Sequence, residues 1–92
     1  MPNEKQLPKP GPAMLTIDGI ERQVEIEWCR TEAVHAVVSG HPVDVGFELI
    51  GQFRVDPRNP RNPQNARLKT PSGETLDICL WTQRYFTANF DR

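Results

Sequence analysis

Long apolar runs are missing from this chain. No stretch approaches the roughly 18 residues that a membrane-spanning helix needs, and the opening segment MPNEKQLPKPGPAM has neither an apolar centre nor a small-residue cleavage pattern. A cytoplasmic protein with no membrane association is expected on these grounds. Cysteine is scarce as well. Cys29 and Cys79 stand alone, without a nearby pairing partner, which is too sparse for a secreted disulfide scaffold. Free thiols are expected, with a single bridge left open.

An excess of either charge is also lacking, since 11 Lys+Arg face 12 Asp+Glu. That balance argues against the broad basic surface that makes nucleic acid the default partner. His35 and His41 lie between the cysteines, but the spacing lacks the close ligand pairs of a compact zinc site, so no metal is expected. Gly-rich phosphate loops, nucleophile elbows and paired metal-binding histidines on a helix are absent. The acids Glu25, Glu27 and Asp77 read as an ordinary solvated face. Neither an enzyme nor a cofactor is expected.

What the chain does contain is alternation. Its 92 residues allow one small domain with a marginal core. Prolines 2, 8, 10 and 12 mark residues 1–13 as a flexible arm, leaving 14–92 as a single β domain. Asp18-Gly19 predicts a two-residue hairpin turn that sets Ile17 opposite Ile20 and Leu15 opposite Arg22. Val24, Ile26 and Trp28 continue that apolar face, and Cys29 falls on the polar one. Residues 31–39 read as a strand, although Thr31 also suits a helix cap. After the Ser39-Gly40 turn, Val43, Val45, Phe47, Leu49, Phe53 and Val55 share one parity and are expected to face one core. Gly46 and Gly51 interrupt this run as bulge or bend positions. A last hairpin turns at Thr70-Pro71-Ser72-Gly73, with Leu76, Ile78 and Leu80 inward. The fold expected is all-β: a small antiparallel barrel or sandwich of five to six strands with no long helix.

The least ordinary feature is DPRNPRNPQN at 56–65, a Pro-Arg/Gln-Asn unit written three times. Proline excludes a central strand, so this is expected to be an extended, protruding loop. In polyproline II geometry Arg58, Arg61 and Gln64 would form one edge at intervals of roughly 9 Å, with Asn59, Asn62 and Asn65 on another. Between Arg54 and Lys69 the balance is +4, because Arg54, Arg58, Arg61, Arg67 and Lys69 oppose Asp56 alone. Planar guanidinium forks suit carboxylates on a protein or phosphates on a nucleic acid. The aromatic tail, with Trp81, Tyr85, Phe86 and Phe90, closes the core, supplies a partner or homo-oligomer surface, or stacks bases beside the arginines.

The expected function is therefore a non-catalytic binding or adaptor module for a protein partner. Its candidate contact residues are Arg54, Arg58, Asn59, Arg61, Asn62, Arg67, Lys69, Tyr85 and Phe86. The alternative is a nucleic-acid-binding barrel that uses the same loop against phosphates.

Overall fold

A computed structural model describes residues 7–82 and 84–90. It is all-β, with the strands β1 Gly11–Ile17, β2 Ile20–Val38, β3 His41–Phe53, β4 Gln64–Lys69, β5 Thr75–Leu80 and β6 Tyr85–Asn89. All neighbours are antiparallel. The chain makes two meanders, β1-β2-β3 and β4-β5-β6, and the order β1-β2-β3-β6-β5-β4 returns to β1 through its pairing with β4.

Turn chemistry sets the hairpins. Asp18 and Gly19 have φ of 50° and 80°, and Ser39 and Gly40 have 51° and 79°. Both central residues are left-handed in each, as a turn matching strand twist requires. The first turn delivers the register expected of it, Ile17 to Ile20 and Leu15 to Arg22. The strand begins at Gly11, three residues earlier than the sequence suggests, because β1 pairs with β4 only from Met14 onward. The missing N–H of Pro12 therefore costs no ladder bond. Of the expected arm, residues 1–6 lie outside the described residues.

Leu15, Ile17, Ile26, Leu49, Phe53, Leu68, Ile78, Leu80 and Phe86 form the buried core. Phe53 and Phe86 stack with ring centroids 4.6 Å apart and planes at 25°. The Phe86 ring lies across Gly51, its directly paired neighbour on β3, so closely that a β-carbon there would overlap it. Gly51 is thus a seat for a ring rather than the bend its residue type suggests.

Two bulges overturn the parity expected along β2 and β3. Glu27 is an extra residue between the pairs Ile26–Phe53 and Trp28–Gln52. Beyond it Trp28 turns outward and Cys29 turns inward, opposite Gly51, which reverses the expected faces of both. Val45 is a second extra residue, between the pairs Val34–Gly46 and His35–Asp44, beside Gly46 at φ 143°. Of the six residues expected to share a core, only Leu49 and Phe53 are buried; Val43, Val45, Phe47 and Val55 are exposed. The Val45 bulge flips Val43, and β6 covers β3 only over Glu48–Gln52, so the hairpin beyond projects as a two-stranded ribbon. Val55 lies past the end of the strand.

These irregularities also bend the long strand. At about 3.3 Å per residue a straight strand of this length would reach about 60 Å. Yet β2 has 19 residues within a molecule of 43 × 36 × 21 Å.

Candidate functional site

β2 has β1 on one side over Ile20–Ile26 but meets β3 on the other only from Ile26 onward. The chain leaving β3 runs opposite the unpaired edge without pairing along it. Its backbone contact there is the Arg54 N–H bond to the Glu25 carbonyl, 2.9 Å. The Arg22 guanidinium then reaches across to donate to the Pro57 carbonyl and acts as a strut. Between strand and segment lies a cleft of about 550 Å³, within the size range of small ligand sites.

Three arginines line this cleft, each in a different state. Arg22 is engaged by Pro57. The Arg54 Nε donates to a Glu25 carboxylate oxygen at 2.9 Å, an exposed pair that water and salt weaken. Arg58 is exposed and, among the described residues, its guanidinium has no hydrogen-bonding partner. Its position is nonetheless defined: the Asp56 carboxylate accepts the Arg58 backbone N–H at 2.8 Å, and Arg58 takes φ of 56°. This is an Asx-type turn, in which a short acidic side chain captures the backbone two residues on. Pro12, Val55 and the buried Pro57 supply apolar walls.

The expected arginine ladder does not exist. The left-handed Arg58 interrupts polyproline II geometry, Arg61 turns toward Asp18 at 3.7 Å, and Gln64 is the buried first residue of β4. Asn59 spends its amide on the Arg61 carbonyl, and Asn62 precedes the cis Pro63. Pro57 and the Arg22 strut tie the start of the segment to the strands, while residues 60–63 stay exposed. Arg67 and Lys69 lie on β4, away from the cleft, where Arg67 faces Asp77 across the strands at 3.4 Å. Of the expected contact residues, Arg54 and Arg58 alone share the cleft.

The aromatic tail divides by strand parity. Phe86 is fully buried and Phe90 nearly so, which removes Phe86 from any partner surface and leaves only Trp81 and Tyr85 exposed for the expected oligomer contact. Tyr85 meets Trp28 edge-on at 6.3 Å, the Arg30 guanidinium sits 5.4 Å from the Trp28 ring, and the Trp81 indole donates to Thr87 at 2.8 Å. Trp28 and Arg22 are surface residues that strand alternation does not single out. The Glu27 bulge has no signature in residue type, and an arginine on an otherwise apolar face was the only hint for Arg22.

Both cysteines are free. Cys29 faces the core opposite Gly51 while Cys79 pairs with Thr87 on the outer face, so opposite sides of the sheet keep them apart. Burial raises the Cys29 thiol from 9.0 to about 11. The folded state disfavours the thiolate, so its contribution to stability is complete below pH 9 and is lost as pH rises toward 11. Two outcomes are expected. Denaturant midpoints fall across that window by less in Cys29→Ala than in the wild type, and iodoacetamide at pH 8 labels Cys29 more slowly in native than in denatured protein.

Among the described residues, no group of three or more His, Cys, Asp or Glu is placed to hold a metal, and no helix is long and apolar enough to cross a membrane. No family model matches the chain, and no curated protein or solved structure matches it either.

Proposed function

We propose that this protein is a non-catalytic binding module, a small β-barrel acting in the cytoplasm, whose cleft between β2 and the 54–58 segment engages a carboxylate-bearing protein partner. The observation that carries this reading is the convergence of Arg22, Arg54 and Arg58 on one apolar-walled cleft, with the Arg58 fork unspent. A guanidinium held beside apolar surface binds a carboxylate through two parallel bonds and gains from partial desolvation.

A nucleic-acid reading fits less well. Nonspecific binding to phosphates needs a continuous basic track, whereas Arg54, Arg61 and Arg67 are each set against an acid of this chain at separate places. Two ligands distinguish the readings: a glutamate-rich peptide and a single-stranded oligonucleotide, each titrated at low and at physiological salt. The peptide is expected to bind at both, and Arg54→Ala/Arg58→Ala to weaken it about five- to tenfold, as loss of partly exposed ion pairs implies. Oligonucleotide binding is expected to be negligible at physiological salt. Tight, steeply salt-dependent oligonucleotide binding that the double variant weakens would favour the phosphate reading instead.

A further inference from the structure

The cleft offers backbone as well as side chains. In an antiparallel strand the N–H and C=O of one residue point to the same side, and successive residues alternate. The Glu25 carbonyl meets Arg54 on the cleft side, so Gln23, which lines the cleft, and Glu21, just beyond its lining, direct their backbone N–H and C=O groups to that same side of the strand. Val24 and Arg22, between them, turn theirs toward β1, with Ala13 and Leu15 opposite. Among the described residues nothing pairs with the cleft-side groups of Gln23 and Glu21. Here β2 is an edge strand inside a closed sheet, and the Arg22 strut keeps the neighbouring segment off it.

We propose that the cleft takes an acidic segment of a partner protein in extended form, added as a strand to β2 at Glu21–Glu25. The peptide backbone bonds Gln23 and Glu21, and one of its carboxylates meets Arg58. Strand addition takes its affinity from main-chain bonds and its specificity from alternate side chains. The charge argues for an acidic occupant, because three arginines against Glu25 and Asp56 leave the cleft net positive, and among the described residues the Arg58 guanidinium has no hydrogen-bonding partner. Free edges are ordinarily blunted by charge, proline or covering structure. This edge has Arg22 reaching over it and Pro12 beside it, yet remains open at Gln23.

The proposal rests on the protein-binding reading, and the test separates the two. The probe is a blocked peptide, acetyl-Val-Glu-Val-Glu-Val-Thr-amide, used with its lysine counterpart and with versions N-methylated at one position at a time, against the full chain. Expected results are slowed hydrogen exchange at the Gln23 and Glu21 amides when the acidic probe binds, and weaker binding of the lysine counterpart. N-methylation at alternate positions should weaken binding by about three- to tenfold, as loss of one hydrogen bond implies, and have little effect at the positions between. Arg58→Ala, an exposed change with no packing to lose, should weaken the acidic probe several-fold.

If the acidic probe binds through Arg58 but leaves both amides exchanging freely, and N-methylation has no periodic effect, strand addition is wrong while the binding-module reading stands. If no acidic probe binds at millimolar concentration, both the strand and its acidic occupant are overturned.

Discussion

Gly51→Ala is expected to be among the most damaging small substitutions in this protein. The added methyl would occupy space taken by the Phe86 ring, which is itself stacked on Phe53 and cannot retreat into solvent. Overpacking typically costs about 1–3 kcal/mol and sometimes more. The upper end or beyond is expected here, because the obstacle is a fully buried ring rather than a flexible chain end. A domain of this size has only about 5–10 kcal/mol to lose. Urea denaturation of the single variants and the double variant checks the cause. Phe86→Leu in the Gly51→Ala background should recover part of the loss, giving a favourable coupling energy between directly paired positions. Strict additivity of the two losses would mean that the ring does not seat on Gly51.

The second large effect separates two phenylalanines of the same strand. Phe53→Ala should cost about 3–5 kcal/mol, the usual loss for a buried aromatic ring, since Phe53 is fully enclosed and stacked on Phe86. Phe47→Ala should cost clearly less, because Phe47 retains 39% of its exposure. Sequence alternation alone assigns both to one core and expects equal losses. Thermal or chemical denaturation of the two variants under one condition decides the matter, and equal losses would contradict the projecting ribbon.

That contrast shows where the sequence could be read and where it could not. Asp18-Gly19, Ser39-Gly40 and the Thr70–Gly73 turn were legible because left-handed or tight turns restrict residue choice. The inward positions of Leu15, Leu76, Ile78 and Leu80 followed from a period of two within regular strands. Bulges broke that reading. The Glu27 insertion involves no glycine, so Trp28 and Cys29 exchange faces without any local signal. At Val45 the neighbouring Gly46 did mark the irregularity, but residue type does not tell on which side of the glycine the extra residue falls.

The candidate site was half legible for a related reason. The local charge excess pointed to Arg54 and Arg58, which lie within five residues of the end of β3. Arg22 lies more than thirty residues away in sequence and joins them only through tertiary contact with Pro57. The repeat itself misled: three similar triplets suggest one geometry, yet Asp56 captures Arg58, Asp18 draws Arg61, and Gln64 enters a strand. Local partners at each triplet override the shared propensity of the repeat, and the ladder dissolves into one cleft arginine, one arginine set against Asp18 and one buried glutamine.

The central claim is that the unspent charge of Arg58 defines the binding site, and reversing that charge tests it most directly. Calorimetric titration of wild type and Arg58→Glu is run against the acidic probe peptide and its lysine counterpart, with circular dichroism confirming an unchanged fold. The wild type should prefer the acidic probe, and Arg58→Glu should lose that ligand and gain the lysine one. Undiminished binding of the acidic probe to Arg58→Glu would contradict the account and remove the cleft from consideration.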